Sequence, residues 1–365
     1  MNDTALPEEW EILRRWLPED LHRRARQTGF MQRARGLQDA ESWLRLILMH
    51  VAGGLSLQQT AVRARELGLA QVTSVALFKR LRKAERWLVD LTRYMLDDHR
   101  RLFGVQTRLR APYRMRIIDA TDVQEPGETG TSLRVHYSLR LPELTCDHYE
   151  LTDASGGEKL GRFIFHPGEL VLADRGYSHR AGVAAVLEAK AEVLLRWNPA
   201  TFPVEGPRGE AWDLLSRLRQ LGPREVGHWR VSFVFGGQRY GLRLCARRKS
   251  RTQAERARRK ALRKAARNQS GTPDARSLEL TQYVLVLTSV PESVLSAALV
   301  LELYRLRWQI ELAFKRLKSL LAFGHVPKSS DQSAKSWMQA KILTSLMIER
   351  VALCGRFFSP WGYDG

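Results

Sequence analysis

Apolar residues recur with a helical period between residues 303 and 321, and they predict an amphipathic helix. The apolar positions share one stripe, the side expected to face the core: Leu303, Leu306, Ile310, Phe314, Leu317 and Leu321. Roughly 90° away, four polar residues fall within roughly 60° of one another: Tyr304, Arg307, Glu311 and Lys318. The pattern indicates a charged face at the rim of the core, suited to holding a metal ion beside a phosphodiester. An ordinary helix with an Arg307–Glu311 ion pair explains this segment alone equally well.

Two short apolar runs, 114–119 and 170–174, predict buried strands, and each ends in an aspartate. Because ligands bind beyond the carboxyl ends of strands in open α/β sheets, Asp119 and Asp174 are candidate site residues. With Glu311 they form a set of carboxylates, the donor type that Mg²⁺ and Mn²⁺ prefer. Two such ions can bind the attacking and leaving oxygens of a phosphoryl transfer. Asp122 and Glu125 are the alternatives to Asp119 as the first ligand.

Residues 1–105 are predicted to be helical and to contain a helix-turn-helix. The segment Ser56-Leu-Gln-Gln59 has a capping-box pattern, and the helix that it starts ends near Gly68. Thr73 or Ser74 then caps a second helix. This helix carries basic residues suited to a DNA major groove: Lys79, Arg80, Arg82 and Lys83. An ordinary helical hairpin with a solvated basic face is the alternative.

The rest of the chain has the pattern of a mixed α/β protein. Its first strands are predicted at 114–119, 132–140, 147–152, 170–174 and 192–197, with a helix at 179–191. A hairpin is predicted around the turn Gly236-Gly237, with strands at 231–235 and 239–244. A last buried strand, 283–289, precedes the helix with the charged face, and a final helix is predicted at 334–354.

The chain is strongly basic, with a net charge of +20 and a pI of about 10.4. This excess points to a polyanionic partner, above all nucleic acid. Half of it lies in residues 247–267, a basic arm with eleven Lys/Arg and the single acid Glu255. The arm is predicted to be a helix or a segment that orders on DNA, with a solvated linker as the alternative. Its candidate DNA contacts are Arg247, Arg248, Lys249, Arg258, Arg259 and Lys260.

Hydropathy and cysteine usage indicate the cellular compartment in which the protein acts. No apolar run approaches the roughly 18 to 20 residues needed to span a bilayer, and the acidic N-terminus shows no signal peptide. Cys146, Cys245 and Cys354 are odd in number and far apart, which fits a reducing compartment. We therefore expect a cytoplasmic, nucleoid-associated protein with no membrane partner.

Three motifs carry a resemblance to a known family. They are Asp119-Ala-Thr121, Asp174-Arg-Gly-Tyr177 and Tyr304-x2-Arg307-x3-Glu311-x6-Lys318. In this order and spacing they resemble the motifs of the DDE transposases of bacterial insertion sequences. The chain looks most like the cut-and-paste family named after insertion sequence four. The third motif is the most specific and the first the least specific of the three.

The resemblance implies an RNase-H-like catalytic domain with a β-rich insertion. The implied domains are 1–105, an N-terminal all-helical DNA-binding domain; 111–198, the first half of the catalytic domain; 199–280, the insertion with its basic arm; 281–330, the second half with the Glu311 helix; and 331–365, a C-terminal helix and tail. In such a sheet the first and fourth strands are neighbours, so Asp119 and Asp174 would lie side by side.

The resemblance also implies a DNA transposase that cleaves transposon ends and transfers them into target DNA. Asp119, Asp174 and Glu311 would be the catalytic residues and would hold two Mg²⁺ or Mn²⁺ ions. Four residues would position DNA phosphates: Tyr304, Arg307, Lys315 and Lys318.

The implied partners are double-stranded DNA, as terminal inverted repeats and as target, and a second copy of the chain in a homodimer. Related transposases stack an aromatic residue on a flipped base, and Trp197, Trp212 and Trp229 lie in or near the insertion. The alternatives are a stand-alone metal-dependent nuclease and a non-catalytic DNA-binding protein derived from a transposase.

Overall fold

The computed structural model describes most of the chain as a helical N-terminal part followed by a mixed α/β part. The described residues are 9–32, 37, 39–103, 113–124, 133–141, 144–222, 225–267, 273–322, 326 and 331–357. Side chains within them include two buried free cysteines, Cys146 and Cys245. No helix of this described part combines the length and the apolar composition that a bilayer crossing requires.

Helices are the only regular secondary structure in the described part of the first 103 residues. They are α1 (Glu9–Arg14), α2 (Leu21–Gln27), α3 (Ala40–Val51), α4 (Leu57–Glu66), α5 (Ser74–Leu81) and α6 (Glu85–Phe103). Ser56 and Gln59 form the predicted capping box of α4. Gly68 follows that helix with a φ of 64°, a left-handed conformation that favours glycine. Thr73 caps α5, which ends at Leu81 and is therefore shorter than predicted.

Eight strands form one sheet in the order β3-β2-β1-β4-β5-β8-β7-β6. The strands are β1 (Arg114–Val123), β2 (Leu133–Leu141), β3 (Thr145–Asp153), β4 (Glu169–Ala173), β5 (Glu192–Arg196), β6 (Val226–Phe235), β7 (Gln238–Arg248) and β8 (Tyr283–Thr288). The strands β1, β4 and β5 are parallel, while β2 and β3 pair antiparallel on one side. On the other side β8, β7 and β6 continue antiparallel, so the predicted insertion hairpin extends the central sheet.

The remaining helices connect and cover the strands. They are α7 (Arg180–Glu188), α8 (Leu214–Arg219), α9 (Arg251–Arg267), α10 (Ala275–Leu280), α11 (Ala297–Tyr304), α12 (Trp308–Leu320) and α13 (Asp331–Phe357). The helix predicted at 303–321 is not continuous, because a 3₁₀ turn at Arg305–Arg307 separates α11 from α12. The basic arm is also divided, since Arg247 and Arg248 end β7 and the helix begins at Arg251.

The sheet has a separate hydrophobic core on each face. Along β1, Ile117 points into one core and Ile118 into the other, as strand alternation requires. The first core also contains the N-terminal helices, the predicted apolar stripe of α11 and α12, and much of α13. The long helix α13 packs against α3, α6 and β3, so it ties the N-terminal helices to the sheet.

Candidate active site

Asp119 and Asp174 lie side by side because of the register between β1 and β4. The last paired residues of these parallel strands are Ile118 and Ala173, and each aspartate is the next residue. The prediction that Asp119 ends its strand was wrong, because β1 continues to Val123 while pairing only with β2. The site therefore forms where β4 leaves the neighbouring strand.

Arg307 joins the two aspartates to Glu311. Its guanidinium lies 3.3 Å from Asp119 Oδ2 and 3.8 Å from Asp174 Oδ1, and it also donates a hydrogen bond to Glu311 Oε1. Arg307 belongs to the 3₁₀ turn and Glu311 to the first turn of α12. Carboxylates that are far apart in sequence thus converge on a single cation.

Tyr304 completes this network from the end of α11. Its side chain is buried, and its hydroxyl donates a hydrogen bond to Asp174 Oδ1 at 3.2 Å. Burial raises the pKa of Tyr304 above its usual range, so the hydroxyl stays protonated and acts as a donor. The phenol therefore fixes the orientation of the Asp174 carboxylate.

Lys315 and Lys318 lie further along α12, away from this network. Both side chains are exposed and make no hydrogen bond or ion pair with the described residues. The structure thus brings five of the predicted site residues together: Asp119, Asp174, Tyr304, Arg307 and Glu311. The two lysines keep their charges free for a partner beyond the network.

Asp119 has a strongly perturbed acidity. Burial raises the pKa of Asp119 to about 7. A hydrogen bond from the backbone N–H of Ala120, 2.8 Å long, and the charge of Arg307 oppose this rise, whereas Asp174 and Glu158 add to it. The Asp119 carboxyl can therefore bind a proton near neutral pH.

Glu158 is a fourth carboxylate at this site, and the sequence analysis missed it. It lies in the segment between β3 and a 3₁₀ turn at Leu160–Arg162, and burial raises its pKa. Its Oε2 packs against Gly176 so closely that a Cβ on that glycine would lie 1.5 Å away. No motif spacing marks Glu158, and only the glycine within Asp174-Arg-Gly-Tyr177 hints that another group packs there.

The carboxylate oxygens suit a hard divalent cation, although Arg307 occupies the point on which they converge. No group of three or more acidic, histidine or cysteine side chains within the described ranges is spaced to hold a metal ion directly. The positive guanidinium instead contacts one oxygen of each of the three acids. The three acids therefore share a guanidinium in this structure, and their oxygens are of the donor type that Mg²⁺ and Mn²⁺ prefer.

A basic cleft of about 1750 Å³ opens beside Tyr304 and Arg307. Eight of its lining residues are basic and two are acidic: Arg196, Arg247, Arg248, Lys249, Arg251, Arg258, Arg305 and Arg307, against Glu255 and Glu302. Trp308 also lines the cleft, and its side chain is 58% exposed. The cleft thus connects the basic arm to Tyr304 and Arg307, the residues that contact the carboxylates.

Residues of the basic arm differ in their solvent exposure and in their contacts with the protein. Arg258, Arg259 and Lys260 are exposed on α9. Lys249 is half-buried, and its ammonium donates a 2.6 Å hydrogen bond to the Thr281 carbonyl. Burial, and then the charges of Arg196 and Arg175, lower the pKa of Lys249 to about 8. Lys249 therefore anchors the arm to the sheet, whereas the residues on α9 face solvent.

The basic residues of the predicted helix-turn-helix also divide into two kinds. Lys79, Arg82 and Lys83 are exposed, whereas Arg80 is held by the protein. The Arg80 guanidinium donates a 2.6 Å hydrogen bond to the Phe30 carbonyl and lies 5.6 Å from the Trp43 ring centroid. Arg80 thus docks α5 onto the helices that precede it.

The three tryptophans in or near the insertion pack against one another. Trp212 makes edge-to-face contacts with Trp197 and Trp229, with ring centroids 6.4 and 6.1 Å apart. Trp197 is buried, and its indole N–H donates a hydrogen bond to the Phe202 carbonyl at 2.7 Å. The cluster therefore stabilises the second core in this structure.

Comparisons with known proteins point to one family. Residues 150–347 match the family described as "Transposase DDE domain", a range that contains Asp174 and Glu311. The putative transposase InsL for insertion sequence element IS186A of Escherichia coli (strain K12) is 32% identical over 94% of this chain and 93% of its own length. The transposase for insertion sequence element IS421 of Escherichia coli is equally identical over the same shares.

A solved structure, the piggyBac transposase synaptic complex with hairpin DNA, aligns with 95% of this chain and 76% of its own chain. Its TM-score is 0.49 and its sequence identity 10%, so the likeness is too weak to establish a common fold.

A carboxylate cluster at the point where two parallel strands part, with a basic cleft beside it, suits an enzyme that acts on nucleic-acid phosphodiesters. The match to the DDE domain and the near full-length similarity to insertion-sequence transposases make the class more specific. The chain belongs to the DDE transposases, and it is a DNA transposase, an enzyme that cleaves DNA and transfers the cleaved strand.

Proposed function

We propose that the chain is a cut-and-paste transposase of the type named after insertion sequence four, with Asp119, Asp174 and Glu311 as its catalytic residues. One observation carries the proposal: the three carboxylates converge on Arg307 beside the point where β1 and β4 part. Two Mg²⁺ or Mn²⁺ ions held by these acids would activate the attacking oxygen and stabilise the leaving oxygen of a phosphodiester.

The sheet order supports an RNase-H-like catalytic domain. In the part β3-β2-β1-β4-β5, the first and fourth strands are parallel neighbours, as such a domain requires. Residues 199–280 add β6 and β7 beyond β8, and their basic helix α9 borders the cleft. This arrangement supports an insertion whose basic residues bind DNA beside Asp119, Asp174 and Glu311.

Arg307, Tyr304 and the two lysines have distinct proposed roles toward the DNA. Arg307 leaves the carboxylates and binds a phosphate, for which its planar guanidinium is well suited. Tyr304 keeps Asp174 oriented through its 3.2 Å hydrogen bond. Lys315 and Lys318, exposed along α12, bind phosphates further from the cleaved bond. Each residue thereby holds the substrate or a ligand in place.

The proposed substrate is double-stranded DNA, both as the terminal inverted repeats and as the target. The positive cleft supports phosphate binding, and exposed Lys79, Arg82 and Lys83 on and after α5 support recognition of a transposon end. Two copies of the chain would bring two transposon ends together as a homodimer. The protein would act in the cytoplasm, on the nucleoid.

A strand-transfer assay with the full chain, a transposon-end duplex and a target plasmid tests this function. Asp119→Asn, Asp174→Asn and Glu311→Gln should each abolish cleavage and joining in Mg²⁺ while end affinity stays within roughly tenfold, because basic contacts dominate binding. Asp122→Asn is the matched control, since Asp122 is exposed and paired with Arg134 at 2.9 Å.

Three results would contradict the proposal. Wild-type cleavage by the Asp174→Asn variant would remove that residue from the site. Undiminished cutting in EDTA would exclude the metal mechanism. Cleavage without joining would identify a stand-alone nuclease, and end binding without cleavage would identify a non-catalytic DNA-binding protein.

A further inference from the structure

A cavity of about 360 Å³ lies where helices of the N-terminal part meet the start of α13. Its lining residues come from the end of α2, from the corner where α5 turns into α6, and from Gln332 in the first turn of α13. The described residues that line it are all different from those that line the cleft beside Tyr304 and Arg307. The cavity is therefore a separate candidate site.

The corner between α5 and α6 gives the cavity a positive charge. Among the described residues that line it, one is acidic, Glu85, and three are basic: Arg82, Lys83 and Arg86. The side chains of these three cations are exposed and form no hydrogen bond or ion pair with the described part of the chain. Cations this close in sequence repel one another, and an anion bound among them would relieve the repulsion. The cavity therefore favours an anionic ligand.

Buried residues hold this corner in place. Leu81 and Ala84, which flank its two exposed residues, are fully buried. The backbone N–H of Ala84 donates to the Leu81 carbonyl at 3.1 Å, so the turn is tight. Trp87, in the first turn of α6, is also fully buried and stacks on Phe30 with ring centroids 4.4 Å apart. The cations thus project from a fixed backbone, which pre-organises them for a ligand.

The end of α2 forms another wall of the cavity. The backbone N–H groups of Thr28 and Gly29 donate to carbonyls of that helix at 3.0 Å each, so these carbonyl oxygens already have donors. Gln32 packs over Gly29, where a Cβ would lie 3.2 Å from the amide nitrogen of Gln32. Side-chain amides donate N–H groups, and Gln332 supplies a second amide from α13. The cavity thus offers neutral donors beside its cations, a combination that suits a phosphate.

The exposed face of α5 points to DNA as the source of that phosphate. Val75, Lys79 and Arg82 are spaced at i, i+4 and i+7, so they share this face, and each is exposed. Val75, near the start of the helix, is 59% exposed. Recognition helices read base edges with their N-terminal residues, where an apolar side chain can contact a thymine methyl group. Phosphate contacts fix the register of such a helix. One face of α5 therefore combines the features of both contacts.

We propose that this cavity binds one backbone phosphate of the transposon-end duplex and so fixes the register in which α5 lies on the DNA. The inference rests on the proposed recognition of transposon ends by the N-terminal helices. Because α13 supplies Gln332 and also packs against β3, the same phosphate would set the position of the duplex relative to the sheet that carries Asp119. Arg86 becomes a DNA contact that the sequence patterns did not indicate.

Fluorescence anisotropy with the full chain and a labelled transposon-end duplex in EDTA tests the proposal independently of catalysis. Replacement of Arg82, Lys83 and Arg86 by glutamine should flatten the slope of log K against log[salt] by about 0.9, because the three cations share one phosphate. Three separate phosphate contacts would instead change the slope by about 2.7. All three side chains are exposed, so this triple variant should retain the stability of the wild type in urea unfolding.

Single methylphosphonate linkages, which remove one phosphate charge at a time, locate the contact on the DNA. Neutralising a contacted phosphate should weaken binding by the wild type by roughly tenfold or more, since a charged hydrogen-bond acceptor is lost. At one such linkage the triple variant should lose this sensitivity, because its cavity no longer binds the phosphate. Lys79→Gln is the matched control, since Lys79 lies on the same face of α5 but does not line the cavity. It should remain as sensitive at that linkage as the wild type.

The outcomes separate this inference from the function on which it rests. An unchanged slope, or a slope flattened by about 2.7, would overturn the shared phosphate site. Equal sensitivity of the triple variant and the wild type at every linkage would overturn it as well. A wild type that binds the transposon-end duplex no better than an unrelated duplex would instead overturn the proposed recognition of transposon ends.

Discussion

Replacement of Arg307 by methionine should weaken the metal-free fold while it tightens metal binding. The substitution keeps a long, flexible side chain but removes the cation on which Asp119, Asp174 and Glu311 converge. Since Arg307 and a divalent ion compete for the same oxygens, removal of one should favour the other. If Arg307 only supported the metal ligands, its removal would instead weaken metal binding.

The stability that Arg307→Met should lose follows from how deeply each ion pair of Arg307 is buried. The side chains of Arg307 and Asp119 are 17% and 15% exposed and lie 3.3 Å apart. At an effective dielectric constant of about 20, unit charges at this distance attract by about 5 kcal/mol before desolvation is subtracted. The side chains of Asp174 and Glu311 are 44% and 39% exposed, so solvent screening leaves each pair with about 0–1 kcal/mol. Loss of the buried pair should therefore cost about 3 kcal/mol.

Urea unfolding and Mn²⁺ titration at pH 8 measure the two effects. In EDTA, Arg307→Met should lower the free energy of unfolding by about 3 kcal/mol, and saturating Mg²⁺ should restore most of it. The variant should bind Mn²⁺ at least about tenfold more tightly, which corresponds to 1.4 kcal/mol. Strand cleavage should nevertheless fall, because the phosphate loses its guanidinium.

Arg305→Met is the matched control, because Arg305 lies on the same turn and lines the same cleft. It is exposed and forms no ion pair with the described residues, so its stability and Mn²⁺ affinity should remain those of the wild type. Weaker Mn²⁺ binding by Arg307→Met, or the same destabilisation with and without Mg²⁺, would refute the competition.

Three further predictions concern pH, the basic arm and Tyr304. Burial raises the pKa of Asp119 to about 7 from an ordinary value of 3.8, so the folded state binds the extra proton between these values. The metal-free protein should therefore lose stability as pH rises from about 4 to 7, which urea denaturation measures. Its affinity for Mn²⁺ should increase through pH 7, which calorimetry measures. Asp119→Asn should abolish both trends. Replacement of Arg258, Arg259 and Lys260 by glutamine should flatten the slope of log K against log[salt] by up to about 2.7 in a DNA-binding titration. An unchanged slope would mean that these residues of α9 face solvent and do not contact DNA. Tyr304→Phe should slow cleavage and cost about 1 kcal/mol of stability in urea unfolding, because Asp174 loses a hydrogen bond; full cleavage would show that Asp174 needs no such support.

Local sequence patterns predicted the elements whose causes are local. The capping box at Ser56 and Gln59 and the left-handed Gly68 were predictable because each involves contacts within a few residues. The apolar stripe on α11 and α12 also faces the core as predicted. The 3₁₀ turn at Arg305–Arg307 was not predictable, since its residues have good helical propensity and nothing in the pattern interrupts the helix.

Features that depend on distant partners were missed or misjudged. The prediction ended β1 at Asp119, but the strand continues because β2 supplies a partner up to Leu133. The hairpin of β6 and β7 was predicted as part of an insertion, but its pairing with β8, which makes one sheet of eight strands, leaves no local trace. The exposure of Trp308, which begins α12 and lines the cleft, is likewise visible only in the folded structure.

The motif Asp174-Arg-Gly-Tyr177 shows why a motif can be recognised before its chemistry is understood. Arg175 donates to Asn198 Oδ1 at 2.7 Å, the Glu158 carboxylate packs against Gly176, and Tyr177 is buried. Gly176 does not adopt a left-handed conformation, so backbone freedom does not explain the glycine. The position that its Cβ would take is instead filled by a carboxylate from a separate segment of the chain. A glycine of this kind therefore marks a tertiary contact, and the residue that makes the contact can be found only in the folded structure.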